Sequence, residues 1–169
     1  VLLTHGTLAH NGMEIIATLQ QLLLENGVSS LALTLGLGLD DRHGMYDCKT
    51  PHRHHHTDAL DEIGTWLAWL KQQGVENMVL LGHSRGGNQT AWFAAERDDP
   101  VIKKVVLIAP QTWDKDKDAA DYEKKYAKPL APVLARANDL VAKKQGDTML
   151  ENIDFIYCSD TSSSASDVV

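Results

Sequence analysis

Ser84 stands in Gly82-His83-Ser84-Arg85-Gly86, a serine with a glycine two residues to either side. A serine hydroxyl can attack an acyl carbonyl and carry the acyl group as an ester, provided a base takes its proton and nearby donors receive the charge on the carbonyl oxygen. With Gly and Ser each near 7% of residues, such a match arises by chance in about one chain in twenty of this length. Its context therefore carries the weight. The apolar run Asn77-Met78-Val79-Leu80-Leu81 leads into it, and the stretch from Gly86 to Glu96 has helix-forming character. A strand turning sharply into a helix brings backbones close, so side chains at Gly82 and Gly86 would clash. The turn also lifts the hydroxyl to a helix N-terminus, where N–H groups favour a developing negative charge.

A second group of residues could do different chemistry. His52, His54, His55 and His56 lie close together, with His43, Cys48 and Asp58 nearby, and imidazoles with carboxylates suit zinc. His52-x-His54 and His56-x-Asp58 have part of a metallo-hydrolase pattern. The terminal histidine of that pattern is missing, and the tract leads into a helix rather than out of a strand. Surface or structural roles for these rings are the competing reading, and no metal ligand is assigned.

These residues are positioned by an alternation of apolar runs and helical patterns. Val1 to His5 reads as a strand closed by Gly6, and Ile15, Ile16, Leu19, Leu22 and Leu23 form a helix face that Asn26-Gly27 terminates. A strand at 30–35 and a long polar loop at 36–57 follow. Ala59, Ile63, Trp66, Leu67 and Leu70 then form a second helix face, with Thr57 or Asp58 as its N-cap. Strands at 77–82 and 104–109 flank the third helix. Strands apolar throughout, alternating with helices, predict an α/β fold with a mostly parallel sheet, helices on both faces and the 77–82 strand central. The core is expected over 1–113, a helical, cap-like excursion over 114–158, and a loose tail over 159–169.

The chain has 169 residues, 43% of them hydrophobic, and a formal net charge of −7. Its longest basic clusters are pairs, which argues against a nucleic-acid partner. No apolar run approaches the roughly 18 residues of a membrane span, and the N-terminus lacks the pattern of a signal peptide. Cys48 and Cys158 have no metal-type spacing and read as reduced thiols, hence a cytoplasmic location.

The stretches HGTLAHNGM and GHSRGG, the latter preceded by apolar residues, are similar to the serine hydrolases of the α/β-hydrolase fold, and the order of elements from Val1 to about Pro110 matches that family. The resemblance implies acyl transfer on an ester-type small molecule by the nucleophile Ser84, without a cofactor. It implies an oxyanion hole from the backbone N–H groups of Thr7 and Arg85, with Gly6 shaping the loop and His5 in a structural role. It also implies the chain order serine, acid, histidine. No histidine follows His83, so the base is expected in a part of the protein outside this chain, which resembles a piece truncated at both ends. Asp114 and Asp160 are the two in-chain candidates for the acid, each with a surface role as the alternative. A non-catalytic binding protein of the same fold is the remaining alternative, beside the metal-dependent one.

Overall fold

The computed structural model describes residues 1–169, which divide into two units. The first comprises residues 1–45 and 56–112, the second 46–55 and 113–169.

The first unit holds β1 (Leu2–Thr4), α1 (Glu14–Glu25), β2 (Leu31–Ala32), α2 (Asp58–Gln72), β3 (Met78–His83), α3 (Arg85–Glu96) and β4 (Ile102–Ile108). All four strands pair in parallel, in the order β2-β1-β3-β4. Parallel neighbours need a crossover between them, and the helices provide it. β3 lies between β1 and β4, as the sequence predicts, with Thr4 opposite Gly82 and Ile108 opposite His83. Leu2, Leu3, Ile16, Ile63, Met78, Leu80 and Phe93 are buried from strands and helices alike. Thr57 does occupy the N-cap position of α2, but its side chain makes no capping bond.

Two strands differ from their sequence patterns. β2 pairs over two residues only, although Leu33 and Leu35 beyond it remain buried. β4, apolar enough for an interior strand, is the outer strand of the sheet, and Val105, Val106 and Leu107 stay 39%, 39% and 41% exposed. Composition marks a strand as apolar; its rank in the sheet is set by pairings elsewhere.

The second unit holds α4 (Lys115–Tyr126), α5 (Ala131–Ala142), the antiparallel pair β5 (Met149–Leu150) and β6 (Ser163–Ser164), and α6 (Ala165–Val168). Ala137, Leu150, Ile153 and Ala165 form its buried cluster. The expected loose tail is thus incorrect: residues 163–165 are buried, and Ala165 N–H bonds to the Thr148 carbonyl. Polar composition suggested solvent exposure, yet the two serines lie against β5 and the 46–55 segment. His52 N–H donates to the Ser162 carbonyl and Ser164 N–H to that of His52.

Cys48 and Cys158 form a disulfide with their Cα atoms 5.2 Å apart, which corrects the expectation of reduced thiols. The two are 110 residues apart in sequence, and only the folded second unit brings them within bonding range. No helix of the chain is long and apolar enough to cross a membrane.

Candidate functional site

Ser84 joins the end of β3 to the start of α3 with φ 53° and ψ −124°. A non-glycine residue held there costs on the order of 1–3 kcal/mol, so its surroundings must enforce it. They do so through the backbone on both sides. Ser84 N–H donates to the Ile108 carbonyl at 3.0 Å, while the Ser84 carbonyl accepts from Gly87 N–H at 2.9 Å, Asn88 N–H at 3.2 Å and Gln111 N–H at 2.9 Å. The segment after β4 therefore clamps the turn from the side.

The flanking glycines are required by contact. A Cβ on Gly82 would stand 2.4 Å from the Gly86 carbonyl oxygen, and one on Gly86 would stand 2.1 Å from that of His5. The first turn of α3 thus presses on the loop after β1. A Cβ on Gly6 would lie 3.2 Å from Ser84 Cβ and 3.1 Å from His83 Nδ1, an atom buried without a hydrogen-bond partner. The two segments singled out in the sequence, Gly6-Thr7 and Ser84-Arg85, therefore meet. Thr7 Oγ1 donates to Gln111 Oε1 at 3.4 Å.

His5 is fully buried, and both ring nitrogens are engaged. Leu35 N–H donates to Nε2 at 3.0 Å, so Nε2 is the bare nitrogen and Nδ1 carries the proton, which it donates to the Gly6 carbonyl at 2.8 Å. Burial, with a smaller contribution from the Arg42 charge, lowers its pKa from 6.5 to about 4. The ring is a neutral brace of the loop, the structural role expected of it. His56 is also spent on structure: Arg85 Nε donates to Nδ1 at 3.1 Å, and Nε2 donates to Asn88 Oδ1 at 2.8 Å. Burial, and then the Arg85 charge, hold its pKa below the usual value. Arg85 is the first residue of α3, with its backbone N–H in the turn where no intrahelical carbonyl faces it.

The other expected residues fall in the second unit. Asp114 caps α4, accepting from Lys117 N–H at 3.0 Å. Asp160 does not follow a strand: the backbone before it is irregular, with turns at 156–157 and 159–160 and positive φ at Asp154, Ile156 and Asp160. Its own N–H donates to Asp154 Oδ1 at 2.7 Å. The histidine tract separates into different environments. His52 and His54 are buried beside the Tyr46 ring, while His55 pairs with the buried Asp167 at 3.0 Å. No three His, Cys, Asp or Glu side chains are arranged to hold a metal ion.

One residue absent from the sequence reading is prominent here. Arg42 donates from Nε to the Leu35 carbonyl at 2.7 Å, from Nη1 to that of Gly44 at 2.8 Å, and from Nη2 to that of Ala9 at 2.7 Å. Nη2 also approaches His5 Nε2 at 3.3 Å. Glu62 on α2 braces the same region, accepting from Gly36 N–H at 2.8 Å, and burial raises its pKa.

Comparison with known proteins identifies the fold. The model of the α/β-hydrolase fold family matches residues 1–151. The monoacylglycerol lipase of Paleococcus ferrophilus superposes with a TM-score of 0.57 at 23% identity, over 99% of this chain and 63% of that one. A structure from work on carboxylesterases of Nitrososphaera gargenis gives 0.53 at 19% identity, over 86% and 46%. At these identities the likeness is one of fold. A Mycoplasma pneumoniae protein with an esterase/lipase name is 36% identical over 47 residues, 28% of this chain and 17% of that protein. The chain thus spans less than two thirds of each of the three.

Proposed function

The chain belongs to the α/β-hydrolase fold family, and from that premise we propose that it is the nucleophile-bearing part of a serine hydrolase acting on carboxylic esters of small molecules. The observation that carries the reading is the backbone of Ser84 at φ 53°, enforced by glycine contacts on both sides, with the Gly6 loop against its Cβ. A serine in an ordinary glycine-rich turn would need none of these constraints.

In this reading Ser84 Oγ attacks the ester carbonyl, and its proton passes to a general base. The backbone N–H groups of Thr7 and Arg85 receive the oxyanion. Collapse expels the alcohol, which takes the proton from the base, and water then releases the acid by the reverse sequence. His5 and His56 have both nitrogens committed to structural partners, which supports a base from a part of the protein outside these 169 residues. Asp114 and Asp160 are weaker candidates for the third triad member than their sequence positions suggest, since the first is a helix cap and the second lies in a turn. No cofactor is needed.

The expected cytoplasmic location rested on reduced cysteines. With Cys48 bonded to Cys158 we take the working surroundings to be oxidising instead.

The test uses the longer protein and nitrophenyl acetate. Ser84→Ala should lower turnover on the order of a million-fold, with stability changed by no more than about 1 kcal/mol. Retention of even a tenth of the activity would remove Ser84 from the mechanism. The 169-residue chain alone should show no steady turnover; Ser84-dependent turnover there would put the base inside it.

A further inference from the structure

The geometry points to Arg42 as the positioning residue of the Thr7 N–H donor, acting through the carbonyl of Ala9 and through its approach to His5 Nε2. This inference rests on the reading of Thr7 as an oxyanion donor. The argument starts at the Gly6–Thr7 peptide. In a trans peptide the C=O and the following N–H point in opposite directions. Whatever holds the Gly6 carbonyl therefore aims the Thr7 N–H. Two donors hold that carbonyl: His5 Nδ1–H at 2.8 Å and Ala9 N–H at 3.3 Å. The peptide's direction is thus set by one imidazole and by the closure of one tight turn, whose Leu8 has φ 55°.

Arg42 bears on both, adding to Leu35 at the imidazole and acting alone at the turn. A neutral imidazole can donate from either nitrogen, and only the Nδ1–H form can hold the Gly6 carbonyl. The Arg42 guanidinium has donors only, and with Leu35 N–H it faces Nε2, so a proton on Nε2 would meet two donors. The remaining position for the proton is Nδ1. The same Nη2 holds the Ala9 carbonyl at 2.7 Å, which pins the far end of the turn. Nε and Nη1 fix the guanidinium itself on Leu35 and Gly44. A lysine offers one ammonium and cannot span these acceptors. The chain is bent to deliver this side chain: Leu37, Gly38, Asp41 and Gly44 all have positive φ, and Leu35 and Leu37 are buried.

Two measurements test this separately from the hydrolase reading. In the 169-residue chain, imidazole 15N shifts should show His5 as the Nδ1–H form, which Leu35 N–H preserves in Arg42→Ala, while the backbone amide shifts of Thr7 and Ala9 should move in that variant as the Ala9 carbonyl loses its donor. In the longer protein, Arg42→Ala should lower kcat on the order of 100-fold or more, comparable to loss of one oxyanion donor, while KM stays within a few-fold. Added guanidinium should restore part of the rate. Arg42→Lys, which keeps the charge, should fold and still show the kcat loss, so the test stands if the alanine variant does not fold. Unchanged Thr7 and Ala9 amide shifts in Arg42→Ala, or a parental kcat in Arg42→Lys, overturns the inference. Activity surviving Ser84→Ala would instead overturn the hydrolase reading and leave the amide-shift result to stand alone.

Discussion

Replacing Gly86 by alanine places a methyl group 2.1 Å from the His5 carbonyl oxygen and 2.8 Å from that of Thr4. Both obstacles are main-chain atoms of β1 and the loop after it, so no change of rotamer relieves the contact. Real Cβ atoms essentially never come within 3.0 Å, and the shortfall to 2.1 Å obliges α3 and β1 to part by about 0.9 Å or more. Overpacking a tight interior costs about 1–3 kcal/mol, and with two backbone atoms in the way about 3 kcal/mol is expected. For a chain of this size each kcal/mol moves the melting temperature by about 2–4 °C, so a fall of roughly 6–12 °C follows. Gly64→Ala is the comparison, because its Cβ, within α2, would meet only the Phe93 ring of α3 at 3.5 Å, an ordinary contact. That variant should gain about 0.5–1 kcal/mol from the lost freedom of the unfolded chain. Thermal melts followed by circular dichroism read all three proteins. A Gly86→Ala melt within about 2 °C of the parent would refute the claim that β1 and α3 are in backbone contact.

Two further outcomes concern acid and reductant. His5 has a folded pKa of about 4 against 6.5 unfolded, so the unfolded chain binds its proton first; the stability it contributes is full above about 6.5 and is lost as pH falls toward 4. The loss amounts to about 3 kcal/mol, and urea titrations between pH 7 and 4 should show a shallower decline in His5→Asn, where this proton is gone; equal slopes would contradict the brace. Reducing Cys48–Cys158 should cost about 2–5 kcal/mol, seen as a lower melting temperature under dithiothreitol. Cys48→Ser should reproduce that shift and become insensitive to reductant, and a thiol titration that finds both cysteines free in the untreated protein would contradict the bond.

What was legible in the sequence follows the range of the interactions involved. The four strands and three helices of the first unit show in local apolar spacing, and the order strand, Gly82 to Gly86, helix sufficed to pick out Ser84. The strain at Ser84 is implied by its glycines, which have contact reasons to be small. Arg42 escaped notice because Asp40-Asp41-Arg42 in a loop has the pattern of solvated charge. Its guanidinium turns inward onto carbonyls supplied by residues on both sides in sequence, and no local period records that. The disulfide and the ordered tail were illegible for a related reason. Cys48 bonds to a residue more than a hundred positions away, and serine-rich composition says nothing of the backbone pairing of Ser163 with His52. Asp114 looked like an acid after a strand, and its cap position three residues ahead of the Lys117 amide offers the plainer local explanation.

The bond between Cys48 and Cys158 also has a consequence for how the protein is made. Synthesis at about 5–20 residues per second leaves the first thiol waiting roughly 5–20 s while the intervening residues emerge. During that interval the segment around His52 and His54 has neither its covalent partner nor the Ser162–Ser164 backbone that later flanks it. Its imidazole rings and reactive sulfur are then open to any passing thiol or chaperone. The second unit, assembled from residues 46–55 and 113–169, therefore has a fixed order of manufacture, in which the later segment closes over a stretch translated well before it.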